Sequence, residues 1–284
     1  MNFRKSMFLG LAMFWSVSAY AQQTAPQPLT SWSCYAVKPG KEAEFQNLVK
    51  EVGQPVRDKL MADGVVMGWG LEVSVLRGHD TTTHCIWYGV ADWSGIEKVQ
   101  AGVAAQIAKL DAEAAKGGEG KKGAKPAGNT MANLREVIDI EKTKDYVTRD
   151  LVFISGPVPA AGSLPWVRYN FTQVKPGHGG AYREVWDKYN KPVLDKLVAD
   201  GTVLAYGLTV EEVKTTNDFT HFTWYAVKSP DGMDKVRSAF IADRDRRSKE
   251  ERDAITAAFL AVTNPEASRS EVDRSLILHL PGQK

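Results

Sequence analysis

The chain repeats itself. Val37-Lys38-Pro39-Gly40 returns as Val174-Lys175-Pro176-Gly177, an offset of 137 residues. The same offset aligns Asp58-Lys59-Leu60 with Asp195-Lys196-Leu197, Ala62-Asp63-Gly64 with Ala199-Asp200-Gly201, Thr83-His84 with Thr220-His221, and Trp87-Tyr88 with Trp224-Tyr225. From Trp32/Tyr169 to Val99/Val236, 24 of 68 positions are identical without a gap. Self-similarity of this length reads as a tandem duplication, and the fold it specifies must have two like halves. Beyond that stretch Arg149-Asp150-Leu151 pairs with Arg274-Ser275-Leu276 at an offset of 125, so the first copy carries 12 additional residues. They fall in Lys116 to Asn129, rich in Gly and Lys without apolar periodicity, which reads as a flexible surface insert. The expected organisation is a first unit over residues 22–156, with the insert at 116–129, a Pro/Ala/Gly-rich linker at 157–165, and a second unit over 166–284.

Each copy shows one order of elements. A short strand from Trp32 to Val37 meets the turn-forming pair Pro39-Gly40. Phe45, Leu48, Val49, Val52, Val56 and Leu60 then recur at helical spacing, as do Tyr182, Val185, Trp186, Tyr189, Val193 and Leu197. Pro55 and Pro192 sit inside these stripes and predict a kink in both. Gly64 suits the left-handed position that ends a helix. Strands follow over about 65–76 and 83–90, then a helix from near Ser94 and a last strand over about 150–154. The run Asp243 to Asp253 alternates in sign and reads as a solvated helix face.

The order βαββαβ is that of the ferredoxin-like split unit. Two such units in one chain resemble the dimeric α+β barrel superfamily. The resemblance implies an α+β fold in which two ferredoxin-like repeats form one pseudosymmetric barrel. It also admits several functions, because that superfamily holds haem-dependent enzymes, cofactor-free monooxygenases and isomerases.

Met1 to Ala21 has the parts of a secretory signal: basic Arg4 and Lys5, an apolar run from Met7 to Val17, and the small-x-small site Ala19-Tyr20-Ala21. Export to the periplasm or beyond is the expectation, with no membrane attachment after cleavage and a monomer or weak homodimer as the working state. The formal charge of +2 comes from the two signal residues, so the remainder has none, which argues against nucleic acid as a partner. Cys34 and Cys85 permit a disulfide in an oxidising compartment. They fall on the first and third strands, which neighbour one another in the split unit. Taken as parallel neighbours, those strands favour contact over an actual bridge.

Strand alternation then sorts side chains into faces. Trp32, Cys34, Cys85 and Trp87, with Tyr169, Phe171, Phe222 and Trp224, form the more apolar set and are expected under the helices, with Leu151, Phe153, Leu276 and Leu278. The mixed set is expected inside the barrel as a ligand-binding group: Tyr35, His84 and Tyr88 from the first copy and Asn170, Thr172, His221, Thr223 and Tyr225 from the second. Glu72 joins it from the second strand, and Asp150, Ile154 and Ser275 share that face from the last; alternation puts His279 there too, but its place near the C-terminus without a histidine partner in the first copy points to the surface. This gives a ligand site for a small organic molecule between the sheets. One alternative is a cofactor-independent oxygenase or isomerase with His84 or His221 as base. Another is a structural or interaction protein whose polar core is closed by hydrogen bonds. No motif announces a cofactor; the resemblance alone leaves haem open, and no local spacing announces a metal.

Overall fold

The computed structural model describes residues 27–76, 82–117, 129–157, 159–215 and 219–283. The proposed signal segment and most of the insert at 116–129 lie outside the described residues.

The first half runs β1 (Leu29–Val37), α1 (Glu42–Leu48), a π-helical turn (Val49–Gly53), α2 (Gln54–Ala62), β2 (Val66–Ser74), β3 (His84–Val90), α3 (Trp93–Gly117), α4 (Thr130–Val137) and β4 (Ile138–Ser155). The second runs β5 (Trp166–Val174), α5 (Gly179–Tyr189), α6 (Lys191–Ala199), β6 (Val203–Glu211), β7 (His221–Val227), α7 (Pro230–Asp245), α8 (Lys249–Val262) and β8 (Thr263–His279). All eight strands close into one antiparallel barrel in the order β1-β3-β2-β8-β5-β7-β6-β4. Each half contributes a sheet, β4-β1-β3-β2 and β8-β5-β7-β6. Two seams, β2–β8 and β4–β6, join the sheets on opposite sides of the barrel. The fold is thus α+β, two ferredoxin-like units in one pseudosymmetric barrel.

Matched residues impose the matched turns. Gly40 and Gly177 take φ of 80° and 79°, and Gly64 and Gly201 take 76° and 77° at the ends of α2 and α6. Both prolines interrupt their helices. Pro55 opens α2 after the π turn, and Pro192 opens α6 after Asn190, because proline has no N–H to continue the preceding turn. Two elements exceed their expectation. β4 has 18 residues, not about five, and β8 has 17. Their early parts, such as Asp139-Ile140-Glu141-Lys142, are mostly exposed and carry charge, so hydropathy does not mark them. The charged run at 243–253 is broken between α7 and α8, where Ser248 and Glu251 form a reciprocal capping box.

Three apolar clusters result. One lies under the first half's helices around Phe45, Trp69, Leu71 and Val90, and a second under the other half's around Trp186, Leu194, Tyr206 and Leu208. The third fills part of the barrel: Val167, Tyr169, Phe219 and Phe222, with Trp32, Phe171 and Trp224 against them.

That third cluster reverses the expected faces. Trp32, Trp87, Tyr169 and Trp224 point into the barrel, whereas Tyr35, Ile86, Tyr88 and Tyr225 lie under the helices. Both faces of every sheet are covered here, one by helices and one by the opposite sheet, so contrast in polarity cannot say which is inside. In the last strands, bulges at matching positions add a second reversal. The register skips Leu151 on β4 and Leu276 on β8. Leu151 and Leu276 stay under the helices, while Phe153 and Leu278 turn inward and Ile154 and His279 outward.

β1 and β3 are antiparallel, not parallel, and Cys34 stands directly opposite Cys85 with a Cα separation of 4.0 Å. The two are joined as a disulfide.

Candidate functional site

The barrel is packed at one end and hollow at the other. Phe171, Phe219 and Phe222 pack at centroid distances of 5.0 to 5.8 Å, and Trp32 meets Tyr169 and Phe222 edge-on at 5.8 and 6.1 Å. Beyond that floor is a cavity of about 320 Å³. Trp32 and Trp87 line it from one sheet, Tyr169 and Trp224 from the other. Phe153, Met67, Pro157, Pro159, Leu280 and Pro281 border it where the linker and the C-terminal tail pass. Phe153 and Met67 are half exposed, at 54% and 50%.

Two glycines give the indoles room. Gly70 stands beside Trp87 and Gly207 beside Trp224 on the neighbouring strands. A Cβ on Gly70 would come within 2.8 Å of Trp87 Nε1, and one on Gly207 within 2.5 Å of Trp224 Nε1. Each indole therefore lies across its glycine, which turns it along the cavity wall.

Four polar groups sit at the two seams. Glu72 of β2 is in register with Ser275 of β8, and Asp150 of β4 with Thr209 of β6. All four line the cavity. Glu72 is 3% exposed and accepts hydrogen bonds from Tyr169 Oη at 2.7 Å and Trp87 Nε1 at 3.1 Å. Burial raises its carboxyl above the usual range, and those two donors oppose the shift. Asp150 accepts from Thr209 Oγ1 at 2.8 Å, and burial pushes its carboxyl up to about 6. A third carboxyl, Asp273, lies diagonally from Glu72 across the same seam, raised first by burial and then by the Glu72 charge. Its Oδ1 is buried without a hydrogen-bond partner.

Of the residues expected inside, Glu72, Asp150 and Ser275 are there. The others are not. His84 packs on Phe45 of α1 at 5.3 Å, with Nδ1 3.0 Å from Thr83 Oγ1. His221 repeats this on Tyr182 of α5, at 5.3 Å and 3.0 Å from Thr220 Oγ1. Burial lowers the His221 imidazole to about 4. Tyr35 rests on Phe45, Tyr88 belongs to the helix-side core of its half, and Tyr225 to that of the other half. Asn170 accepts from Ser270 Oγ outside the barrel. Thr172 and Thr223 are in register with His221 and Leu208, and so share the helix-facing side. His279 lies on the outer surface, bonded to Asp58 at 2.8 Å, with its ring tilted against that of Trp69 at 4.7 Å. Trp32, Trp87, Tyr169 and Trp224, expected under the helices, line the cavity instead, and Thr209, the counterpart of Glu72, lines it too. The paired glycines beside the paired tryptophans were the available signal, because a glycine facing a large side chain across a strand pair marks a close approach.

Among the described residues no histidine or cysteine lines the cavity, and no group of three or more His, Cys, Asp or Glu is placed to hold a metal. The lining thus offers neither imidazole nor thiolate to a haem iron.

No protein-family model and no curated protein matches the chain. Solved structures share its fold. A candidate monooxygenase from Fusobacterium nucleatum subsp. nucleatum superposes with a TM-score of 0.57 at 13% identity, over 91% of this chain and 96% of that one. An anthrone oxidase-like protein gives 0.53 at 12%, over 91% and 95%. A candidate monooxygenase from Lactobacillus acidophilus gives 0.52 at 8%, over 90% and 97%. Identity this low carries the fold and not the activity.

Proposed function

We propose that the protein binds a small organic molecule with a largely apolar, ring-bearing body inside the barrel, between the two sheets. The observation that carries this is the cavity itself: about 320 Å³ walled by Trp32, Trp87, Tyr169 and Trp224, with both of its acids at the seams. That volume matches the pockets that enclose small ligands, and a mostly apolar lining with a few fixed polar atoms is their usual make-up. It also favours a ligand over the alternative of a closed polar core. The names of the fold relatives, two candidate monooxygenases and an anthrone oxidase-like protein, are consistent with an organic guest. A base at His84 or His221 gains no support, since both rings lie across the sheet from the cavity.

The test is fluorescence titration with 1-aminoanthracene. Saturable one-to-one binding with energy transfer from tryptophan is expected. Ala226 lines the cavity, and Ala226→Phe should fill it and weaken binding about tenfold or more. Absence of saturation, or unchanged affinity in the variant, would overturn the reading.

We infer further that the protein is exported, and that its two halves descend from one duplicated unit. The disulfide supports export, because such bonds persist in oxidising compartments. The basic and apolar N-terminal segment supports it independently. The common order of elements and the matched bulges support the duplication.

A further inference from the structure

The cavity holds an unbalanced charge. Two carboxylic acids line it, and none of its described lining residues is Lys, Arg or His. The donors that reach these acids are neutral: the Tyr169 hydroxyl and Trp87 indole on Glu72, the Thr209 hydroxyl on Asp150. Asp273 adds a third acid diagonal to Glu72, with one oxygen buried and unbonded. Buried carboxylates normally meet a cation, because ionisation in a dry interior without one is strongly disfavoured.

The placement is a departure from the molecule's own symmetry. Glu72 corresponds to Thr209 in the second half, and Asp150 to Ser275. Both acids therefore come from the first half and both hydroxyls from the second. Each seam sets one acid against one hydroxyl. The seams lie on opposite sides of the barrel, so the acids flank the cavity laterally while the aromatic rings of the two sheets form its broad walls. Ring faces carry negative potential and attract cations, and they accept flat apolar bodies. An anion would meet two carboxylates and the ring faces, with neutral hydroxyls and no cationic side chain among the described lining residues to offset them. A neutral donor could bond one carboxyl and would gain nothing from the field of the rings.

We propose that the cavity is built for a flat organic monocation, a protonated amine or quaternary ammonium carried on an apolar ring body, with Glu72 and Asp150 as its counter-ions. This rests on the reading of the cavity as a ligand site and adds the ligand's charge. Burial makes ionisation of both acids harder than for free carboxyls, and a bound cation offsets that cost.

The experiment is calorimetric titration of the full mature chain at pH 7.5 with three ligands of one shape: 1-naphthylmethylamine, 1-naphthalenemethanol and 1-naphthoate. The amine is expected to bind about tenfold or more tightly than the alcohol, and the naphthoate weakest. Glu72→Gln and Asp150→Asn should each reduce amine affinity and leave the alcohol within about twofold. The wild-type ratio of amine to alcohol needs no variant and decides the matter even where a variant misfolds. An alcohol that binds as well as the amine, or an amine affinity untouched by both substitutions, overturns the cation and leaves the ligand site standing. Failure of all three to bind overturns the cation and the ligand site together.

Discussion

His84 and His221 show what a buried polar residue does when it is not in the site. Each caps the space between its sheet and the first helix of its half, with an aromatic ring on one side and a threonine hydroxyl at Nδ1. The consequence for His221 is a pH effect of definite sign. Its folded-state pKa, about 4, lies below the ordinary 6.5, because burial disfavours the imidazolium. The folded protein therefore holds the neutral ring. Stability is intact above pH 6.5 and is lost as pH falls from there toward 4. Asp150 acts oppositely in an overlapping window, since its raised pKa means the folded state keeps a proton that the unfolded state releases between about 4 and 6. Comparison with His221→Gln cancels that term. In urea unfolding, wild type should lose on the order of 2 kcal/mol more than His221→Gln between pH 7 and pH 4.5. Parallel losses in both proteins would show that the ring titrates normally in the fold.

At the scale of elements, the strand pairs β2–β3 and β6–β7 are tuned by their glycines. Gly207 has Trp224 Nε1 at 2.5 Å and the Val152 carbonyl at 2.9 Å from where a Cβ would stand. One of those neighbours is backbone on β4, so the barrel wall cannot yield by a rotamer change alone. Gly207→Ala should destabilise the protein by about 1–3 kcal/mol and shift the Trp224 emission. Gly180 on α5 has nothing within 4 Å of its Cβ position. Gly180→Ala should be neutral or stabilising by up to about 1 kcal/mol, as for an open helix position. Denaturant midpoints for the two variants check the contrast, and equal effects would mean that the indole does not rest on the glycine. The helical kinks, the turn at Gly40 and the helix ends at Gly64 and Gly201 were readable beforehand, because proline and glycine act through local backbone geometry. The extra length of β4 and β8 was not. Their charged, exposed beginnings are held by pairing with β1 and β5, which are distant in the chain.

For the molecule as a whole, one bond crosses β1 and β3 and one sheet closes on itself. Cys34 and Cys85 are 51 residues apart and directly opposed. In the first half they occupy the positions that Phe171 and Phe222 hold in the second, where the two rings are 5.4 Å apart. The bridge thus replaces an aromatic contact at the packed end of the barrel. The intact mass of protein recovered without reductant should be lower than that of the full chain by residues 1–21 and by two hydrogens. A mass that retains the N-terminal segment counts against export, and a mass with two free thiols counts against the bridge.

The residues by themselves determined the two like halves, the order of elements in each, and the turns and kinks, while the barrel was implied by the resemblance to the dimeric α+β barrel superfamily. Repetition, periodicity and the backbone limits of Gly and Pro are local properties of a chain. Which way each strand faces was decided only by the closed barrel. A sheet buried on both sides offers two apolar faces, and bulges at Leu151 and Leu276 reset the parity within single strands. Glu72 and Asp150 were correctly placed inside, while the tryptophans beside them were assigned to the wrong side. The cavity exists because sheets from two halves meet at seams between residues as far apart as Glu72 and Ser275, and that distance along the chain is what tertiary structure removes.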